Sequence, residues 1–507
     1  RYSDFKNGPA KNRTPMVYAG SNGGFMHGFD ASSNAFQWGQ EKMAYIANFL
    51  FSSNIGEGLH YLTDPGYTHR YYNDLTPSLS DVYDGSDWQT VLISGVRGGG
   101  RGIFALDVTD PSLFDNPAGN ADKIVMWEFT NADDPDLGYT YSRPQIGLSN
   151  ASDGSWVAIF GNGYNNTGDG KAKLFILRIH QGTDGNWVAN SDYLEIPAWV
   201  NAADGDNDPN TDSDGDGDND DRNGLSSPAL ADLDGNGTID RAYAGDLNGK
   251  MWAFDLSSSD PGQWKLDYGE PLFTTINNEP ITAQPTLSRH PSIVSDGSND
   301  PNVMVFFGSG QFLVDSDKVS TNTNYFYGVW DRGDLGGGVT SNDLQRQTYE
   351  NGFVDNNGDP VRVLSRNPVN YIGGERGWYF DLPDPSGRER SITRPVVRGD
   401  VVFFNTYVPD DDPCAPKGYG YRMAVDLETG GSPDDPTFDV NEDGIVDEND
   451  RASNGAAVST VVGLKQEGFL PEPVFIEDIA YTADTPSKVA KLKTIPKGRL
   501  SWQELIQ

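Results

Sequence analysis

One local pattern recurs along this chain and leaves few folds open to it. A short apolar strand ends in glycine or a small residue, a turn follows, and a second, aromatic-rich strand often closes on aspartate. The run from Met16 to Asp30 (MVYAGSNGGFMHGFD) is the first instance, and the run from Arg241 to Asp255 (RAYAGDLNGKMWAFD) nearly copies it. Residues 91–95 with 102–107, and 157–161 with 174–177, repeat it. Looser versions pair 303–308 with 325–330 and 401–404 with 421–426. Asn-Gly and Gly-Gly steps between apolar runs are hairpin signals, because tight hairpin turns need positive φ at their centre. A hairpin cannot bury both faces alone, so a sustained series needs neighbours stacked on either side. The pattern predicts an all-β chain, a modified β-propeller of about six to seven irregular blades with loop and helix insertions. A set of unrelated β-sandwiches is the competing arrangement, and the near-copy speaks against it.

The repeat extends over the chain, so residues 1–507 are expected to form a single propeller domain. Three stretches depart from it. Residues 41–80 read as a helix and loop insertion. Residues 201–224 are low-complexity and acidic, with nine aspartates between Asp204 and Asp221. Their alternation resembles tandem calcium repeats as much as a self-repelling charged loop. Residues 484–507 turn basic (Lys488, Lys491, Lys493, Lys497, Arg499) and read as a closing segment.

Two short acidic loops have the spacing of an EF-hand-like calcium site. Asp232, Asp234, Asn236 and Asp240 occupy positions 1, 3, 5 and 9, with Gly237 at position 6. Asp439, Asn441, Asp443 and Asp447 do the same around Gly444, and Asp450 adds a carboxylate at position 12. A hard cation takes six to eight oxygens, and alternate residues of a tight loop can all turn inward on one ion. The main-chain carbonyls of Thr238 and Ile445, at position 7, complete the candidate ligand sets. In the first loop position 12 is Tyr243, so its remaining ligands must come from water or elsewhere. The expected cofactor is Ca2+.

The net charge of −37 excludes a nucleic-acid partner, since this surface cannot neutralise phosphates. It suits an acidic extracytoplasmic protein. With Cys414 alone the chain cannot close an internal disulfide. No apolar run approaches the length of a membrane span, and the opening Arg1-Tyr-Ser-Asp-Phe5 is not a signal peptide. The five histidines are scattered without zinc spacing, and there is no nucleophile elbow or P-loop. The chain therefore reads as a non-enzyme. Arg-Gly-Asp occurs twice. Residues 398–400 precede an apolar strand and read as an ordinary turn. Arg332, Gly333 and Asp334, beside a glycine run, are the adhesive candidate, because such a tripeptide presents opposite charges to a receptor.

Several of these runs resemble the PilY/PilC family of type IV pilus proteins. They are residues 13–30, 88–92, 98–109, 161–165, 232–255, 438–450 and 498–502, in order along nearly the whole chain. The resemblance implies the C-terminal β-propeller of a pilus biogenesis factor and tip-associated adhesin. It places the family's regulatory calcium loop on Asp232, Asp234, Asn236, Thr238 (main chain) and Asp240. It implies pilins and minor pilins as partners, with host surface receptors as a further class, and export to the cell surface, outer membrane or pilus tip. Family members often carry an N-terminal von Willebrand A-like region, so this chain is expected to be a piece of a longer one. The family links the propeller's calcium state to pilus extension against retraction, hence to twitching motility and adhesion. Two other readings stand beside this. One is a plain host-cell adhesin with structural calcium. The other is a quinoprotein-like dehydrogenase, which shares the aromatic, glycine-rich repeat but typically needs a vicinal disulfide.

Overall fold

The computed structural model describes residues 2–34, 36–54, 56–199, 222–294, 300–333, 335–410, 418–476, 479–482 and 485–489. The fold is all-β, and successive antiparallel sheets follow chain order. The first joins Met16–Gly20, Met26–Asp30 and Glu41–Tyr45. The second joins Ser78–Tyr83, Trp88–Gly95, Gly102–Asp107 and Val125–Thr130. The third joins Gln145–Leu148, Trp156–Gly161, Lys173–Arg178 and Tyr193–Pro197. A fourth runs through Ala229–Ala231, Arg241–Gly245, Lys250–Asp255 and Lys265–Leu266. The fifth centres on Val303–Gly308, Tyr325–Asp331 and Gly377–Asp381. The sixth centres on Val401–Asn405, Tyr419–Asp426 and Gly463–Glu467. Among the described residues, six blade-like sheets of three to five strands thus stand where the sequence repeats, and a further three-stranded sheet joins Val474–Ile476, Ile479–Thr482 and Thr485–Lys488.

By its internal contacts the chain divides into two compact units. One holds residues 1–232, 236–242 and 254–266, and the other holds 233–235, 243–253 and 267–507. In each unit a central strand explains why the apolar runs are continuous rather than alternating. Gly102–Asp107 turns Ile103 and Ala105 into a core with Phe129, Phe160 and Phe175. Its other face puts Phe104 and Leu106 into a second core with Met26, Met43 and Leu92. Val401–Asn405 does likewise in the other unit. Val402 and Phe404 join Phe306, Phe326, Trp378 and Phe380, while Val401 and Phe403 join Phe438 and Val461. Side chains alternate across a strand, so a strand covered on both sides must be apolar throughout. Each such Val, Leu, Ile or Phe side chain contributes roughly 1.5–3 kcal/mol on burial.

The aspartates that close the repeat end its strands. Asp30 accepts from the Ser32 amide at 2.8 Å, Asp107 from Thr109 at 2.9 Å, and Asp255 from Ser257 at 3.1 Å. A side chain that bonds the backbone two residues on replaces the ladder with a turn. Gly249 at φ 72° makes the tight turn of the near-copy, and a Cβ there would meet Thr275 Oγ1 at 2.1 Å. Residues 398–400 form the hairpin turn expected of them, with Arg398 paired to Val401 and Gly399 at φ 66°.

The 41–80 stretch departs from its reading as helix and loop. Glu41–Tyr45 is the third strand of the first sheet, paired with Met26–Asp30, and buries Met43. Two 3-10 turns, Asn48–Leu50 and Leu59–Thr63, then lead to the second sheet, which begins at Ser78. The strand is short and exposed on one face, which hid its alternation among polar neighbours. Residues 200–221 and 490–507, and with them most of the acidic stretch and the basic closing segment, lie outside the described residues. So do Cys414 and Asp334. Among the described residues no helix is long and apolar enough to cross a membrane.

Candidate metal centre

The 232–240 loop links the strands Ala229–Ala231 and Arg241–Gly245. Asp232 and Asp240 flank it and are buried, while Asp234 at its tip is exposed. Carboxylate oxygens of these three residues lie within 4.8 Å of one another. Two glycines make that convergence feasible, Gly235 at φ 78° and Gly237 at φ 94°, in the left-handed region that other residues rarely adopt. The loop then braces its own ligands. The Gly237 amide donates to Asp232 Oδ2 at 2.9 Å, and the Thr238 amide donates to Asn236 Oδ1 at 2.7 Å.

Asn150, on the loop between two strands of the third sheet, holds the far side. Its Nδ2 donates to Asp240 Oδ1 at 2.9 Å and to the Ile239 carbonyl at 2.9 Å. Its Oδ1 accepts from Thr238 Oγ1 at 2.5 Å. Nothing in the sequence marked Asn150, because it lies 90 residues from Asp240 and belongs to no motif. It orients a carboxylate without having to touch an ion.

The donor set fits a hard divalent cation. It is oxygen only, with no histidine or cysteine among the converging groups. Three carboxylates this close repel one another by roughly 3 kcal/mol per pair at the effective dielectric of a protein surface. A cation held among them would offset that repulsion.

The 439–450 loop has a different geometry. Asp450, buried, accepts from the Val440 amide at 2.7 Å and the Asn441 amide at 3.1 Å through Oδ1, and from the Asp447 amide at 2.8 Å through Oδ2. Asp439 accepts from the Asp443 amide at 3.1 Å and the Gly444 amide at 2.9 Å. Asp443 Oδ1 takes the Ile445 amide at 2.8 Å, and Asp447 Oδ1 the Asn449 amide at 2.8 Å. The predicted ligands therefore brace the turn through main-chain amides. They are not among the acidic trios that converge within 4.8 Å in the described residues.

The second converging trio was not legible in the sequence. Asp134 and Asp136, on one loop, meet Glu195 of the strand Tyr193–Pro197. Lys173, 4% exposed, pairs there with Asp136, with Glu195 at 3.0 Å and with Asp169 at 3.3 Å. Burial alone pushes the Lys173 ammonium down, but the carboxylates of Asp136 and Glu195 outweigh it and hold the pKa well above the usual lysine range. The Tyr193 hydroxyl adds a hydrogen bond to Asp134 at 2.9 Å.

At the adhesive candidate, Arg332 is half-buried with its guanidinium 5.3 Å from the Trp330 ring centre, and Gly333 turns at φ 68°. Of the histidines, His290 is buried against the rings of Trp330 and Tyr371, and His27 bonds Ser21 and Glu41.

Comparison with known proteins places this arrangement in a family. The model of the PilY1 beta-propeller domain matches residues 1–192 and 212–359. The chain belongs to the PilY1 family. It is 32% identical over 500 residues to the type IV pilus biogenesis factor PilY1 of Pseudomonas aeruginosa strain PAO1, covering 90% of this chain and 38% of that protein. It is 35% identical over 434 residues to a PilY1 homolog of Xylella fastidiosa strain Temecula1, covering 82% of this chain and 26% of that protein. The chain thus spans well under half the length of these PilY1 relatives. Among solved structures, the Pseudomonas aeruginosa PilY1 C-terminal domain superposes with a TM-score of 0.73 at 28% identity, covering 97% of this chain and 95% of that one. The all-β fold is that of the PilY1 propeller.

Proposed function

We propose that this chain is the calcium-responsive propeller of a type IV pilus biogenesis factor. In this reading it regulates pilus extension against retraction, and through them twitching motility and surface adhesion. The observation that carries the proposal is the convergence of Asp232, Asp234 and Asp240 within 4.8 Å on a loop braced by Asn150 and Gly237. Membership in a family whose relatives are type IV pilus biogenesis factors supplies the setting.

Asp232, Asp234, Asn236 and Asp240, with the Thr238 main-chain carbonyl, would hold a calcium ion, whose charge would offset theirs. The chain's own part is mechanical. Without neutralisation the three carboxylates push the loop open. Neutralised, they let it close against Asn150 and fix the ends of the two strands it joins. A ligand shifts such an equilibrium only by its differential affinity for the two states, typically about 1–3 kcal/mol of coupling. Pilins and minor pilins are the partners this surface would engage, outside the cytoplasm. The 439–450 loop, with Asp439, Asn441, Asp443, Ile445, Asp447 and Asp450, would hold a second, structural ion.

The test is a calorimetric calcium titration of the wild type, Asp240→Ala and Asp447→Ala, together with motility of cells carrying each change. Two sites, each lost in its own variant, with motility impaired by Asp240→Ala, are the expected result. Unchanged affinity and motility in Asp240→Ala would overturn the regulatory reading.

A further inference from the structure

We propose that an open groove in the unit holding residues 1–232 docks an acidic peptide segment of a partner protein, one that carries carboxylate and aromatic side chains together. The groove has a volume of about 740 Å³. Its walls come from three loops. Phe51 follows the 3-10 turn Asn48–Leu50, His69, Arg70 and Tyr71 precede the strand Ser78–Tyr83, and Arg101 sits in the turn between Trp88–Gly95 and Gly102–Asp107. Residues 98–100 are all glycine and leave part of the wall as bare backbone. A Cβ at Gly99 would meet the Tyr72 carbonyl oxygen at 2.1 Å.

Two arginines call for an anion. The chain carries 74 acidic residues against 37 Lys and Arg, so most cations have a carboxylate to hand. Arg97, close by, has Asp74 at 3.8 Å. Arg70 and Arg101 line the groove, yet neither pairs with a carboxylate among the described residues. Arg70 lies 3.8 Å from the Tyr61 ring centre and donates through Nη1 to the Gly56 carbonyl at 2.6 Å. Arg101 lies 4.5 Å from the Tyr139 ring centre and donates through Nε to the Asn165 carbonyl at 3.0 Å. Ring and carbonyl together hold each guanidinium in place, while its other N–H groups stay open to solvent. A planar fork of donors held this way matches a carboxylate. Glu57 is the one carboxylate on the wall, and it already accepts from Ser52 Oγ at 3.1 Å and Asn54 Nδ2 at 2.9 Å.

The rings decide for a peptide over a small anion. Five of the 16 residues that wall the groove are Phe or Tyr, in a chain where aromatics make up 11%. Phe51 is 60% exposed and Tyr71 50% exposed. Phe and Tyr beside Arg, with no lysine among them, is the composition found at the centre of protein–protein interfaces. A small anion would engage the arginines and leave these rings in water. A segment bearing both carboxylates and aromatic rings engages both. The net charge of −37 disfavours an acidic segment over the rest of the surface, which confines its binding to this local reversal of sign.

The test is calorimetric titration of the 507-residue chain with a capped hexapeptide of alternating glutamate and phenylalanine. The same peptide with glutamine for glutamate, and inorganic tripolyphosphate, are titrated beside it. The series is repeated on Arg70→Gln, Arg101→Gln and Phe51→Ala, with the melting temperature of each variant. Arg70 and Phe51 are exposed, so those two changes keep folding intact. One-to-one binding of the acidic peptide is expected. Its affinity should fall about tenfold in each arginine variant, the loss of a hydrogen bond to a charged group. The glutamine peptide should bind the wild type weaker by a similar factor, and Phe51→Ala should cost a few-fold. No binding of the acidic peptide overturns the proposal, as does equal binding of the glutamine peptide. Binding undiminished in both arginine variants overturns it too. Tripolyphosphate bound in place of the peptide would make the groove a small-anion site and also overturns it.

Discussion

The buried charges of this molecule are held one residue at a time. Glu389 is fully buried and receives both arms of the Arg362 guanidinium, at 2.6 and 2.7 Å. Arg362 also lies 3.3 Å from the centre of the Tyr421 ring. Removing one member of such a pair strands the other in a low-dielectric interior. Arg362→Met is therefore expected to lower unfolding free energy by about 3–5 kcal/mol in chemical denaturation. A loss below about 1 kcal/mol would mean that the pair is solvated. His290 makes a prediction of opposite character. Burial pushes its pKa down to about 4, and its Nδ1 accepts from the amides of Ser292 and Ile293, so the folded state keeps the ring neutral. The unfolded chain takes up that proton near pH 6.5. The stability tied to a neutral His290 is thus complete above about pH 6.5 and is lost as pH falls from there towards 4. Denaturation midpoints at successive pH values should slope across that window in the wild type and flatten in His290→Gln.

Strands meet in this fold through residues whose size is dictated from across the sheet. Gly328, inside Tyr325–Asp331, is paired with Trp378 of Gly377–Asp381, and a Cβ there would stand 2.5 Å from the indole. Gly328→Ala should cost about 1–3 kcal/mol by overpacking, read as a lower denaturation midpoint. An unchanged midpoint would show that the indole can move aside. Such a constraint is invisible in one strand's sequence, because its partner lies 50 residues away. The same distance rule explains what could be read in advance. The hairpin runs and the 232–240 spacing are local, so chain order alone displays them. Asn150 beneath Asp240 and the meeting of Asp136, Asp169 and Glu195 on Lys173 depend on elements brought together by folding. The Glu41–Tyr45 strand was missed for another reason: it is short, and only Met43 in it is buried. The family resemblance stated from the local motifs agrees with the match over residues 1–192 and 212–359.

At the scale of the whole molecule, a net charge of −37 makes the folded state repel itself. Any cation that binds the folded chain alone adds stability, about 2.7 kcal/mol at a hundredfold excess over Kd. The melting midpoint is expected to rise with calcium at constant ionic strength, and to rise less in Asp240→Asn. An equal rise with sodium or magnesium would reduce the effect to screening or to a site without preference. Lys173 among its three carboxylates then takes on a second meaning. The chain plugs one acidic socket with its own tethered ammonium, at a local concentration no solute can match. That socket is deaf to the composition of the medium. The loop at 232–240 gathers a similar density of negative charge on a run of residues that includes no lysine or arginine. If calcium is its plug, the medium furnishes it. On the proposed reading, that loop is the one that listens to the medium.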